Sequence, residues 1–157
     1  MGATENRATP RTEAIYTARA NVSGGRAAGR GRTSDGALDV ELALPNEMGG
    51  PGGGTNPEQL FAVGYAACFE SALAVVGRRQ RVEPGAVSID SRVALLPAGH
   101  GAFRLAVELD VTLPGVDDPN RAARLVAAAH EVCPYSNAVR GNVEVHLRAN
   151  GTEVASR

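Results

Sequence analysis

One stretch of the chain, residues 56–79, decides the fold, and it reads NPEQLFAVGYAACFESALAVVGRR. Asn56 is a preferred N-cap residue, Pro57 suits the first helical position, and Gln59 forms a near capping box with Asn56. The stretch is apolar on almost every side, which is typical of a helix buried in a core or an interface. We therefore expect a long, buried central helix that runs to about Arg79.

Strands are predicted on both sides of this helix from the alternation of apolar and polar residues. The clearest segment is residues 103–113, where every second residue is apolar. Residues 38–44 and 143–148 follow the same pattern, and weaker strands fit residues 14–22 and 86–96. Alternation of this kind favours half-buried antiparallel strands with one face in water.

A second helix is predicted to begin at Asp118-Pro119, and its apolar stripe places Cys133 on the buried side. The order of strands, helix, strands, helix and strand predicts an α+β fold, with antiparallel sheets around the long central helix. We expect residues 1–12 to form a flexible tail and residues 13–157 to form one domain.

The overall composition excludes several classes of function. The formal net charge of -1 gives no reason to expect a nucleic acid or an anionic membrane as partner. All 16 basic residues are arginine, so neither a Schiff-base lysine nor a P-loop lysine is available. The first residues lack the apolar segment of a signal peptide, and the apolar helix carries Glu70 and Ser71, so we expect a cytoplasmic protein without a membrane span.

A glycine-rich loop, residues 49–55, leads into the first helix and could cradle a phosphate. However, no Gly-Lys-Ser/Thr follows it, and its glycine spacing does not fit GxGxxG. The pattern favours a tight structural loop.

The two cysteines, Cys68 and Cys133, lie 65 residues apart. Each alone is adequately explained as a small buried apolar residue. Gly64, Ala67 and Ser71, however, leave space around Cys68, and Cys133 is followed at once by turn-forming residues. A pair of helix-borne thiols in a chain without a secretion signal is more typical of redox chemistry than of a structural disulfide.

Three segments carry a resemblance to a known family. Residues 49–62, GGPGGGTNPEQLFA, which lead to Ala67-Cys68-Phe69, resemble the first signature of the organic hydroperoxide resistance (Ohr) proteins, a branch of the OsmC-like superfamily. Residues 132–142, VCPYSNAVRGN, resemble the second signature, and residues 24–26, GGR, resemble the segment with the family's active-site arginine. The likeness extends from residue 14 to about residue 148.

The resemblance implies an enzyme that reduces organic hydroperoxides with thiols. By position, Cys68 is the peroxidatic thiol, Cys133 is the resolving thiol, and Arg26 and Glu58 complete the site. A buried thiol needs a nearby cation to lower its pKa, which Arg26 can supply, and Glu58 can hold the guanidinium by a bidentate pair. Apolar residues near the thiols favour alkyl or lipid hydroperoxides; these candidate substrate-binding residues are Leu60, Phe61, Phe69 and Tyr135.

The resemblance also implies an intertwined homodimer and a dithiol reductant, a lipoylated protein, with no cofactor and no metal. Glu58 and Cys68 are ten residues apart, about 15 Å along one straight helix. If both belong to one site, either the helix breaks near Gly64 or a second subunit contributes, with Arg26 and Glu58 of one chain facing Cys68 of the other.

Other functions remain open on the sequence alone. His130, Cys133 and Cys68 could bind one metal ion, although only three ligands are available. A Cys–His hydrolase would need an oriented histidine and an oxyanion hole, for which the sequence has no local signature. An OsmC-type peroxidase of broader specificity and a non-catalytic module that binds small ligands are the remaining alternatives.

Overall fold

The computed structural model describes residues 12–155, which divide into two compact units between Thr55 and Asn56. The predicted N-terminal tail falls almost wholly on residues 1–11, outside the described residues. The organisation of residues 13–157 as one domain stays a prediction.

Residues 12–55 form a three-stranded antiparallel sheet in the order β1-β2-β3. The strands predicted within residues 14–22 and 38–44 are present but short. No strand was expected at β2, because its sequence, RGRT, has no apolar alternation. The elements of this unit are β1 (Ala20–Ser23), α1 (Gly25–Ala28), β2 (Arg30–Thr33), β3 (Asp39–Glu41) and a 3-10 helix (Asn46–Met48).

The glycine-rich loop of this unit uses its backbone N–H groups in hydrogen bonds to nearby backbone carbonyl groups. The backbone N–H groups of Gly49, Gly50 and Gly52 donate to carbonyl oxygens within residues 44–46, at 2.9, 3.0 and 3.0 Å. A Cβ atom at Gly50 would lie 2.3 Å from the carbonyl oxygen of Leu44, so this position requires glycine. These amides are therefore not available to a phosphate, which agrees with the predicted structural loop.

Residues 56–155 combine three helices with a four-stranded sheet in the order β4-β5-β6-β7. The strand predicted within residues 103–113 is confirmed as β5. The elements are α2 (Pro57–Gln80), β4 (Ser88–Gly99), β5 (Ala102–Thr112), α3 (Pro119–Val132), α4 (Pro134–Val139), β6 (Glu144–Ala149) and β7 (Thr152–Val154).

The sheet of this unit is mixed, so the prediction of purely antiparallel strands is wrong at one pair. β4 pairs with β5 and β6 pairs with β7 in antiparallel fashion, whereas β5 and β6 are parallel. Parallel neighbours need a long crossover connection, and residues 113–143, which contain α3 and α4, provide it. The α+β class and the long central helix are confirmed.

The first helix has the predicted bounds and the predicted cap. Asn56 Oδ1 accepts the backbone N–H of Gln59 at 2.9 Å, and Pro57 occupies the first helical position. One face of α2 packs against β4 and α3, and each large apolar side chain buried there contributes about 1.5–3 kcal/mol to folding. The large buried residues on this face are Tyr65, Phe69, Leu73 and Val76.

The opposite face of α2 is exposed, and most of its residues are small or apolar. Val63, at 72% exposure, is the most prominent of them. By length and composition alone α2 could also cross a membrane, but the buried face described above is that of a core helix. The other exposed residues of this face include Gln59, Ala67, Ser71 and Ala74.

The second helix, α3, also begins as predicted, since the Asp118 side chain accepts the backbone N–H of Asn120 at 3.0 Å. Its apolar stripe packs against β6 and β7. The helix ends at Val132, and Cys133 follows it as a fully buried residue. The predicted burial of Cys133 is confirmed.

Loss of the α2 cap should destabilise the fold measurably. We expect Asn56→Ala to lower the free energy of unfolding by about 1 kcal/mol, because the N–H of Gln59 loses its acceptor. Urea denaturation followed by circular dichroism measures this change. Asn56→Ser is the control, since serine is also an effective cap, and an equal loss in both variants would contradict the assignment.

Candidate active site

The two cysteines, distant in sequence, are neighbours in the structure. Cys68 lies on α2 and is half-buried, whereas Cys133 lies between α3 and α4 and is fully buried. Both are free thiols, and Cys133 lies close enough to Cys68 to raise the pKa of the Cys68 thiol. The fold thus brings together the two sulfur atoms that the sequence predicted as a pair.

The surroundings of Cys68 affect the pKa of its thiol in opposite directions. Burial raises its pKa, and the Cys133 thiol raises it further. The backbone N–H of Tyr135 acts in the other direction, because a hydrogen bond to the sulfur stabilises the thiolate and lowers the pKa. Burial is the largest of these effects, so this environment favours the protonated thiol.

The turn that carries Cys133 follows from the proline after it. A residue before proline avoids the helical conformation, and Cys133 is extended, with φ -65° and ψ 122°. Pro134 then occupies the first position of α4, where its missing N–H costs nothing. The Cys-Pro pair therefore ends α3 and starts α4, and it places the N–H of Tyr135 where it lowers the pKa of the Cys68 thiol.

A buried hydrogen-bonded chain lies beside the thiols. Ser136 Oγ lies 2.9 Å from the Tyr65 hydroxyl and 2.8 Å from Nδ1 of His130. All three residues are buried, and both contacts are between side chains. Burial and the Arg140 charge lower the pKa of His130, so its imidazole is neutral near pH 7.

Arg140 closes this cluster from the outside. Its Nη2 donates to the carbonyl oxygen of His130 at 2.8 Å, and its Nη1 donates to Oδ1 of Asn137 at 2.6 Å. The guanidinium thus joins the end of α3 to α4, which helps to keep the turn between them in place.

Three aromatic rings, two from the helix that carries Cys68 and one from the start of α4, pack against one another. The ring centroids of Phe61 and Tyr65 lie 5.9 Å apart, those of Phe61 and Tyr135 5.9 Å, and those of Tyr65 and Tyr135 5.7 Å. Gly64 makes this approach possible, because a Cβ atom there would lie 2.9 Å from the Tyr135 hydroxyl oxygen.

The four predicted substrate-binding residues lie in three different environments. Phe61 and Tyr135 belong to the aromatic cluster, and Tyr135 is 39% exposed. Leu60 is half-buried on the first turn of α2. Phe69 lies fully inside the hydrophobic core, where it supports the helix that carries Cys68.

Arg26 and Glu58 belong to different units. Arg26 is on α1, in residues 12–55, and Glu58 is in the first turn of α2, in residues 56–155. The alternative of a helix break near Gly64 is wrong, since α2 is continuous from Pro57 to Gln80. The roles of Arg26 and Glu58 stay predictions.

The structure of residues 12–155 does not support a metal site formed by His130, Cys133 and Cys68. Among residues 12–155, no group of three or more histidine, cysteine, aspartate or glutamate side chains is arranged to hold an ion. The Nδ1 atom of His130 is instead engaged with Ser136.

Sequence reasoning missed the chain of Tyr65, Ser136 and His130. One signal was available: Tyr65 precedes Cys68 by three residues, so both lie on one side of α2. Ser136 is likewise three residues after Cys133. The contact between Tyr65 and Ser136 depends on the packing of α2 against α4, which cannot be predicted from neighbouring residues in the sequence.

Comparison with known proteins defines the class first. The model of the OsmC-like protein family matches residues 50–148. Among solved structures, an organic hydroperoxide resistance protein from Legionella pneumophila is 51% identical with a TM-score of 0.82, and the match covers 87% of this chain and 98% of the other. A further such structure, from Vibrio cholerae with captopril bound in one of its active sites, is 43% identical with a TM-score of 0.83, covering 97% and 100%.

A curated relative makes the assignment more specific. The organic hydroperoxide resistance protein of Xanthomonas axonopodis pv. citri is 52% identical over 137 residues, covering 85% of this chain and 93% of that protein. The chain therefore belongs to the OsmC-like family and, within it, to the organic hydroperoxide resistance branch.

The close fit of Tyr135 over Gly64 can be tested by mutation. We expect Gly64→Ala to displace the Tyr135 ring and to weaken the contact of its backbone N–H with Cys68. The thiol pKa then rises, and alkylation of Cys68 by iodoacetamide at a fixed pH becomes slower. Mass spectrometry of the labelled peptide measures the rate.

A second substitution provides the control. In the double variant Gly64→Ala/Tyr135→Phe the hydroxyl oxygen at 2.9 Å is gone and the nearest ring carbons lie at 3.4 Å. Much of the alkylation rate should return. A wild-type rate in Gly64→Ala alone would contradict the proposed contact.

Proposed function

We propose that this protein is a cysteine-based peroxidase that reduces organic hydroperoxides to alcohols. One observation carries the proposal: Cys68 and Cys133 are free thiols close enough for Cys133 to raise the pKa of the Cys68 thiol. The names of the relatives, which refer to organic hydroperoxide resistance, support a role in peroxide detoxification.

In the first step, the Cys68 thiolate attacks the outer oxygen of ROOH. The O–O bond breaks, the alkoxide takes a proton and leaves as the alcohol, and Cys68 becomes a sulfenic acid. In the second step, the Cys133 sulfur attacks the Cys68 sulfur, so that an S–S bond forms and water leaves. Two electrons thus pass from two thiols to one peroxide.

Reactivity requires a thiolate at Cys68, and burial opposes it. The N–H of Tyr135 offsets part of this effect. We propose that Arg26 supplies the remaining stabilisation, since a guanidinium stays charged at any physiological pH. In this proposal Glu58 orients the guanidinium by a bidentate ion pair.

The surroundings of the thiols favour an apolar substrate. Phe61 and Tyr135 present aromatic surface next to Cys68, and such surface suits an alkyl or lipid chain better than hydrogen peroxide. In the Vibrio cholerae relative, captopril binds in one of the active sites. We propose that an external dithiol, such as a lipoylated protein in the cytoplasm, reduces the disulfide by exchange and that no cofactor takes part.

We further propose that the active form is a homodimer. Glu58 and Cys68 are ten residues apart on an unbroken helix, or about 15 Å, so one chain cannot place them in direct contact. The exposed face of α2, with Val63 and Ala67, offers the small side chains that let a second helix approach closely. Arg26 and Glu58 of one chain would then face Cys68 of the other.

Single-cysteine variants test the chemistry. We expect wild-type protein to lose two titratable thiols per chain after one equivalent of cumene hydroperoxide, without dimer-linking disulfides. Cys68→Ser should neither consume the first equivalent of peroxide nor turn over, because the peroxidatic sulfur is absent. Cys133→Ser should consume roughly one equivalent of peroxide and then stop or over-oxidise.

The measurements are a thiol titration with a chromogenic disulfide and a ferrous-xylenol assay of residual peroxide. An equal first equivalent in both variants would reverse or reject the assignment of the two cysteines.

Subunit complementation tests the composite site. Arg26→Ala and Cys68→Ser proteins should each be inactive alone. After subunit exchange, half of the dimers are mixed and each mixed dimer holds one intact site, so roughly a quarter of the wild-type activity should return. A stable, active monomer by sedimentation, or no recovery in exchanged dimers, would contradict the dimer proposal.

A further inference from the structure

We propose that Ser136, held between Tyr65 and His130, is a positioning residue of the thiol pair. It fixes the first turn of α4 against α2, so that Cys133 and the Tyr135 N–H both face Cys68. This inference rests on the proposed function, because it concerns the rate at which the Cys68 sulfenic acid meets Cys133.

The first argument is the matching spacing on the two helices. Tyr65 and Cys68 are one helical turn apart on α2, and both reach toward the turn that begins with Cys133. Tyr65 contacts Ser136 at 2.9 Å, and the N–H of Tyr135, the residue before Ser136, lowers the pKa of the Cys68 thiol. The Tyr65–Ser136 hydrogen bond therefore restrains this turn at a point one helical turn from Cys68.

The second argument is the burial of the contact. Ser136 and Tyr65 have no exposed surface, and His130 is 5% exposed. In place of water, Ser136 Oγ has the Tyr65 hydroxyl at 2.9 Å and Nδ1 of His130 at 2.8 Å as hydrogen-bond partners. A buried polar group that loses such a partner must find another, which moves the backbone that carries it.

The third argument is the direction of the hydrogen bonds. If the Tyr65 hydroxyl donates to Ser136 and the Ser136 hydroxyl donates to Nδ1 of His130, every hydroxyl hydrogen is used. This arrangement requires a neutral imidazole with its proton on Nε2. Burial and the charge of Arg140 lower the pKa of His130, while Glu131 raises it less, so the neutral form is favoured.

The role of Ser136 is distinct from that of the reacting sulfurs. A disulfide needs its sulfurs about 2.05 Å apart in a defined geometry, so a loosely held Cys133 would reach the sulfenic acid only part of the time. The proposed anchor keeps the resolving thiol in place before peroxide arrives.

Ser136→Ala is the direct test, in reduced full-length protein. After one equivalent of cumene hydroperoxide in the presence of dimedone, we expect the variant to accumulate the dimedone adduct at Cys68, whereas wild type forms the disulfide. Acid-quenched samples should give a rate of disulfide formation that is lower by about tenfold or more. Alkylation of Cys68 should shift to higher pH, because the N–H of Tyr135 is no longer held at the sulfur.

Two comparisons separate positioning from general damage. Ser71→Ala is the matched control, since Ser71 is on the same helix but is exposed and bonds only to the carbonyl oxygen of Ala67 in its own helix. It should behave as wild type. His130→Leu should reproduce the Ser136→Ala defect, whereas His130→Asn, whose amide can occupy the position of Nδ1, should recover much of the rate.

If circular dichroism shows that Ser136→Ala is unfolded, Tyr65→Phe carries the test, since it keeps the ring and removes one hydrogen bond. Wild-type disulfide rates and an unchanged alkylation profile in the folded variants would overturn the role of Ser136 while the peroxidase function stands. If wild type itself forms no disulfide, the peroxidase function fails, and the alkylation profile still decides whether Ser136 positions the turn.

Discussion

The contact between α2 and the start of α4 is the interaction on which the site depends. α2 supplies Cys68, and the turn before α4 supplies Cys133 together with the N–H of Tyr135. Neither segment is reactive by itself, because a lone buried cysteine behaves as a small apolar side chain. The sheet and α3 pack against one face of α2 and bury it. α3 also ends at Val132, so Cys133 lies at the start of the turn. Under the proposed mechanism, stability and chemistry would therefore depend on the same helix packing.

The packing of the two thiols has an unfavourable electrostatic effect on Cys68. Packing the two thiols into a largely apolar site raises the pKa of Cys68, which reduces the amount of reactive thiolate. Under the proposed mechanism the site is reactive only when a cation completes it. A residue such as Arg26 would then control reactivity as well as support it, which distinguishes this site from a surface thiolate.

Much of the fold could be predicted because its signals are local. The caps at Asn56 and Asp118 and the alternation through residues 103–113 each arise within a few neighbouring residues. The parallel pairing of β5 and β6 could not, because it depends on where the crossover through α3 and α4 returns the chain. The thiol pair was predicted from the resemblance, whereas Tyr65, Ser136 and His130 were missed, since each has an ordinary explanation alone and gains meaning only from the contact with the others.

Two observations concern whether a second copy of the chain completes the site. They are the exposed apolar face of α2 and the separation of Glu58 from Cys68. The first is a matter of surface: Val63 and its small neighbours leave apolar area in water, which is typical of an interface. The second is a matter of reach: an unbroken helix keeps the two side chains about 15 Å apart within a chain. In the proposed dimer, a second copy packed along α2 would cover the apolar face and would bring another Glu58 toward Cys68. Assembly and catalysis would then be coupled, and a dilute monomer would retain its thiols but lack the cation that activates them.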